Sequence, residues 1–166
     1  MPEKRTIERA RRDKREGKSP STQAGEFVRE EIHHIREGKH GAKSTKQAIA
    51  IGLSKARRAG VKMPPPRPGT VSKSARAEIR RATRAGAKRS KRRPSPARAR
   101  GATRRLRRYG RSAASKEALS RHAREVARQR GPRLRRAAAR KAVRTKGPAK
   151  RRAAARKAAR TRAARA

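Results

Sequence analysis

Ser44-Thr45-Lys46-Gln47-Ala48-Ile49-Ala50-Ile51-Gly52-Leu53-Ser54-Lys55-Ala56-Arg57-Arg58-Ala59-Gly60 is the stretch on which the reading of the fold turns. Ile49, Leu53 and Ala56 recur at i, i+4 and i+7, the spacing that lines one face of a helix. Ser44 followed three residues later by Gln47 is a capping-box start, and Gly60 supplies the stop. Upstream, Val28, Ile32 and Ile35 repeat the same stripe with Phe27 beside it, and Gly38-Lys39-His40-Gly41 breaks the chain between the two. Residues 22–60 are therefore expected to form a hairpin of two short antiparallel helices whose core is Val28, Ile32, Ile35, Ile49, Leu53 and Ala56.

Working outward, nothing else has core-like patterning. Leu, Ile, Val and Phe together number 16 in 166 residues, half the level of about 20% below which disorder is expected. Most of the hydrophobic 31% is alanine, which buries little area. So small a hairpin needs a second copy, the downstream helices or a ligand to hold its shape. Residues 1–21 alternate in sign around Ile7 and read as a charged, solvated segment ending at Gly17-Lys18-Ser19-Pro20. Residues 61–71, with Met63-Pro64-Pro65-Pro66-Arg67-Pro68-Gly69, read as a polyproline-type linker.

Residues 72–166 hold short helix-permissive pieces, at 72–86, 96–109, 113–130, 133–146 and 149–165. Pro94/Pro96, Gly110, Gly131-Pro132 and Gly147-Pro148 separate them. The last two pieces are a repeat: Arg135-Arg136-Ala-Ala-Ala-Arg140-Lys141-Ala142-Val143-Arg144-Thr145 returns sixteen residues later as Arg151-Arg152-Ala-Ala-Ala-Arg156-Lys157-Ala158-Ala159-Arg160-Thr161. Thr45–Ile49 and Ser115–Leu119 form a fainter echo. The fold class expected is mainly α, a small helical hairpin head followed by a largely disordered, helix-prone Arg/Ala-rich tail.

Charge points to the partner. Lys and Arg number 55 against 11 Asp and Glu, a net +44, and only a dense polyanion neutralises that excess. Eight acids precede residue 38; residues 61–166 hold 39 Lys and Arg against Glu78, Glu117 and Glu125. Arg136, Arg140 and Arg144, like Arg152, Arg156 and Arg160, fall at i, i+4 and i+8, so a helix would carry a ridge of guanidiniums about 6 Å apart. The expected nucleic-acid-binding residues are Arg92, Arg93, Arg104, Arg105, Arg107, Arg108, Arg135, Arg136, Arg140, Lys141, Arg144, Arg151, Arg152, Arg156, Lys157 and Arg160. These segments are expected to be disordered when free and helical on phosphate.

Other chemistries find less. Phe27 and Tyr109 are the only aromatics, which disfavours stacking on unpaired bases. Thr45, Lys46 and Gln47 could open a recognition helix, but a packing or dimerisation hairpin is the plainer reading. Ser95-Pro96-Ala97-Arg98 resembles the Ser-Pro-basic turns of histone tails, with a linker turn as the plain reading. His33, His34 and His40 lie near Glu30 and Glu37. Adjacent helical residues point about 100° apart, so His33 and His34 do not face one ion, and surface histidines beside carboxylates are expected instead of a metal site. No cysteine is present, no catalytic set or buried carboxylate pair can be placed in a pocket, and no enzyme, cofactor or metal is expected.

Residues 22–63, most narrowly Ser44–Gly60, resemble a short domain of small, basic, uncharacterised bacterial proteins, a likeness that brings no activity with it. The tail resembles the Ala/Lys/Arg-rich tails of bacterial linker-histone-like proteins, which implies DNA compaction, although Arg outnumbers Lys here and no winged-helix pattern precedes it. The function expected is non-sequence-specific DNA binding by phosphate neutralisation, in a cytoplasmic, nucleoid-associated protein. RNA or the ribosome is the alternative partner, and a head that recruits a protein partner or a second copy is the other. A membrane is not expected, because the basic tail lacks an apolar face.

Overall fold

The structure, a computed structural model, describes residues 2–66, 71–87 and 95–164. Among them all regular structure is helical: α1 (Lys4–Arg15), α2 (Pro20–Arg36), α3 (Thr45–Arg58), α4 (Lys73–Ala87), α5 (Pro96–Arg107), a 3₁₀ turn (Ser112–Ala114), α6 (Lys116–Gln129) and α7 (Gly131–Ala163). They divide into two compact units, Met1–Ser120 and Arg121–Ala166. No helix is long and apolar enough to cross a membrane among the described residues.

The local signals in the head do what their chemistry dictates. Ser19 Oγ accepts from the Thr22 amide at the start of α2, and Pro20 takes the first helical position. At the start of α3 the Gln47 amide donates to Ser44 Oγ at 3.2 Å. The Gln47 side chain accepts from the Lys43 amide at 2.7 Å, one residue upstream of the usual capping-box donor. Gly17, Gly38 and Gly60 end the first three helices with φ of 69°, 78° and 88°. In each case the next amide reaches back to a carbonyl inside the helix, Lys18 to Asp13, Lys39 to His34 and Val61 to Ala56.

Two apolar clusters flank α2. Ile32, Ile35, Ala42, Ala48, Ala113 and Ala114 form one, with Val28 and Leu119 packed against it. Ala10, Ala24, Phe27, Ala56 and Val61 form the other, edged by Ile7, Leu53 and Met63. The first unit is therefore larger than the expected hairpin. α1 buries Thr6, Ala10 and Asp13 against it and is not a solvated segment. Val61 and Met63, expected in the linker, belong to the second cluster; the rest of that linker from residue 67 to 70 lies outside the described residues.

The α3 face also differs from the expected stripe. Its buried residues are Thr45, Ala48, Gly52 and Ala56, whereas Leu53 is half-buried at an edge and Ile49 is half-buried outside both clusters. The reason is closeness: a Cβ on Gly52 would stand 2.7 Å from Val28 Cα, so only small side chains fit between the helices. α4 packs on α3 by the same device, with Gly86 against the Arg57 carbonyl and Ala82 buried.

The segment after α5 completes the head. A Cβ on Gly41 would overlap the Tyr109 carbonyl, and the Gly41 amide donates to Leu106 O at 3.1 Å. Thr45 Oγ1 donates to Ala113 O at 2.7 Å, Arg36 Nε to Ala114 O at 2.8 Å, and Arg111 Nη1 to Arg36 O at 3.4 Å. The downstream chain thus supplies the support that the hairpin was expected to need.

The expectation of a largely disordered tail is overturned: α4, α5, α6 and α7 occupy most of it. Low apolar content reports on the capacity to build a core, not on the capacity to form helix. Ala, Arg and Lys rank among the best helix formers, and like-charge i, i+4 pairs oppose them by only about 0.2–0.5 kcal/mol each. The expected break at Gly147-Pro148 is present as a kink inside α7, where Gly147 takes φ 66°, ψ 170°.

Candidate nucleic-acid interface and a buried ionic centre

α7 is a helix with no core to face. Its 33 residues include 14 Lys and Arg and no acid, and its described side chains are exposed, Leu134 and Val143 at 45% included. On either side of the Gly147 kink, Arg136, Arg140 and Arg144 and then Arg152, Arg156 and Arg160 form one-face ridges with steps of about 6 Å. Arg135, Arg136, Arg140, Lys141, Arg144, Arg151, Arg152, Arg156, Lys157 and Arg160 are all exposed on it. Ala137, Arg140, Lys141 and Arg144 line a shallow concavity. Arg135 Nε and Arg162 Nε reach backbone carbonyls of their own helix at 3.4 Å, a weak hold that phosphate can replace.

In the first unit, Arg104, Arg105, Arg107 and Arg108 stand exposed around the last turn of α5. The Leu106 carbonyl between them is tied to Gly41, so this patch is fixed to the head. Arg92 and Arg93 lie outside the described residues. Among the described aromatics, Phe27 is buried and Tyr109 is half-buried, which leaves no stacking platform. Thr45 and Gln47 are occupied internally, so they do not present a recognition edge. Ser95 and Pro96 open α5 as its N-cap and first residue and do not form a free turn.

The acids of the head behave differently. Glu26 holds Arg9 at 2.8 Å and Arg29 at 2.9 Å, and Lys18 bridges Asp13 and Glu16 at 2.7 Å each. Asp13 lifts the Lys18 ammonium above its ordinary pKa. Deeper in, Glu30 and Glu31 on α2 are buried side by side, at 4% and 0% exposure. Lys55 of α3 reaches between them, 3.3 Å from Glu30 Oε1 and 2.7 Å from Glu31 Oε2. The Glu3 amide donates to Glu30 Oε2 at 3.1 Å.

Around Glu31 stand two imidazoles. His40 Nε2 is 3.3 Å from Glu31 Oε1, and His34 packs edge-on to His40 with ring centroids 6.2 Å apart. His34 Nε2 lies 2.9 Å from Glu3 Oε1, and that hydrogen bond holds the Glu3 carboxyl below its usual range. Lys39 bridges Glu3 and Glu37 at the rim, at 3.7 and 3.0 Å, and lowers the Glu37 pKa.

Sequence reasoning missed this centre. His33 and His34 do point apart, with His33 exposed, but His40 folds back from the loop to meet His34. The histidines expected at the surface are mostly covered, their side chains 14% and 15% exposed. Two signals were available: the Glu31-x-x-His34 spacing, which puts both on one helical face, and the position of Glu30-Glu31 inside the apolar stripe between Val28 and Ile32.

Residues 3–67, less than half of the chain, match a family described as of unknown function, DUF6496, a span that takes in α1 to α3 and the ionic centre. No curated protein and no solved structure matches the chain.

Proposed function

We propose that this protein binds nucleic acid without reading its sequence, neutralising duplex phosphates through α7 and the basic turn of α5, and so condenses DNA. The observation that carries the reading is a helix of 14 Lys and Arg without one acid, whose described cations are exposed. Cations already carried on a helix lose little backbone conformational entropy on docking. Arginine suits the task because its fork meets a phosphate bidentately. With no aromatic platform, contact with the backbone of a duplex is favoured over capture of unpaired bases. The mechanism is counterion release, with no catalytic step, and in a bacterial cell the place of action is the nucleoid.

Titration of the full chain against duplex DNA across salt concentrations tests this. If roughly ten phosphates are contacted, log K falls against log salt with a slope near −9. Affinity that hardly changes between low and moderate salt overturns the reading. Competition between duplex DNA and a structured RNA of equal length then sets the preferred partner, and stronger binding to the RNA moves the assignment to RNA.

A further inference from the structure

We propose that Glu31, His34 and His40 form a binding site for a divalent transition ion, Zn²⁺ by donor type. Each offers one ligand atom, and all lie within 4.8 Å of one another. Four-coordinate zinc with bonds of about 2.0–2.2 Å sets its donors ~3.4 Å apart, so closure asks for shifts on the order of 1 Å. Two imidazoles and a carboxylate are a donor set that zinc accepts, with a fourth position left for water. Glu3 Oε1 lies outside this donor group, 2.9 Å from His34 Nε2 at the exposed edge.

The hydrogen bonding around Glu31 points to a missing cation. Glu31 is completely buried, yet neither carboxylate oxygen accepts a well-formed hydrogen bond. Lys55 approaches Oε2, but it also serves Glu30, so one ammonium faces two buried carboxylates. Oε1 has His40 Nε2 at 3.3 Å. His40 Nδ1 lies 3.2 Å from the Gly41 carbonyl, which can only accept, so Nδ1 carries the proton of that bond. In a neutral imidazole this leaves Nε2 as a lone pair against a carboxylate oxygen. A metal ion placed between them would take both lone pairs. A ligating histidine whose other nitrogen donates to a backbone carbonyl is the arrangement that fixes the tautomer for metal.

Such an ion ties the α2 face to the 37–44 loop, independently of any binding of nucleic acid. Its test uses the full chain, free of affinity tag and stripped with chelator, titrated with Zn²⁺ by competition against a chromophoric chelator and with Co²⁺ by visible absorption. The expected result is one ion per chain, the intense bands of four-coordinate Co²⁺, and a melting temperature that rises with zinc. His40→Gln and His34→Gln each weaken uptake by at least about tenfold, whereas His33→Gln and His122→Gln leave it unchanged. Cysteine is absent, so no thiolate competes for the ion. Absence of stoichiometric uptake in the native chain, or equal uptake in a folded His40→Gln chain, overturns the site.

Discussion

The head and α7 are made of nearly the same residues and use them in opposite ways. In the head, Ala24, Ala48, Ala56 and Ala114 are fully buried, because α2 supplies Phe27, Ile32 and Ile35 for them to pack on. In α7 the alanines are exposed and act only through helix propensity. Arginine divides the same way. Arg9 and Arg29 are held by Glu26, and Arg36 by the Ala114 carbonyl of another segment, whereas α7 itself contains no acid and Arg135 and Arg162 reach only carbonyls of their own helix. Composition therefore fixes neither burial nor charge balance here. A few large apolar residues and the placement of the acids decide both.

The largest effect expected comes from removing the α7 ridges. Replacing Arg136, Arg140, Arg144, Arg152, Arg156 and Arg160 with Gln should make the plot of log K against log salt shallower by about 5 and cost several decades of affinity at low salt. The melting of the head should not move, because those side chains are exposed. A drop in melting temperature with unchanged DNA affinity would reverse the roles given to the two regions.

Next in size is the core of the head. Ile35 is fully buried, and Ile35→Asp places an unpaired charge in the first cluster at a cost of about 3–5 kcal/mol, a large share of the ~5–15 kcal/mol that stabilises a typical domain. The cooperative melting of the head should disappear while binding of nonspecific duplex persists. If the substitution abolished binding instead, the head would be the reader and α7 its accessory.

The contrast also explains what the sequence disclosed. Caps and stops were legible, because Ser44-x-x-Gln47, Gly38, Gly60 and Gly147-Pro148 act through local hydrogen bonds and backbone angles. The Val28/Ile32/Ile35 stripe was legible because hydropathy marks it. The α3 face was not, because Thr45, Ala48, Gly52 and Ala56 carry almost no hydropathy signal, and closeness of approach is a property of the pair of helices. Docking of residues 106–114 was hidden because it rests on backbone carbonyls, which every sequence has. The buried acids were hidden because an isolated glutamate reads as solvated until Lys55 and the histidines are placed around it. Helix in the tail was masked because a rule about cores says nothing of helix propensity.

Glycine-to-alanine substitutions test close approach in the head. Gly41→Ala drives a methyl into the Tyr109 carbonyl and should detach the 106–114 segment, and Gly52→Ala should part α2 from α3, each at about 1–3 kcal/mol by thermal melting. Melting curves identical to the native chain would mean that the helices can separate freely, and that the small-residue face is not what sets their distance.

The smallest expected effect has the opposite sign and comes from the same chemical change. Gly101 lies inside α5, and a Cβ there meets nothing within 4 Å. Gly101→Ala adds no contact and removes only the excess backbone freedom of glycine in the unfolded chain, so it should stabilise α5 by up to about 1 kcal/mol. Hydrogen exchange of the α5 amides is the measurement, since a gain this local barely moves global melting. Slower exchange would show an exposed basic helix responding to propensity alone, as the reading of α7 requires. Faster exchange would mean that α5 packs through Gly101 against a surface not yet accounted for, and the division between packed head and propensity-held basic helix would have to be redrawn.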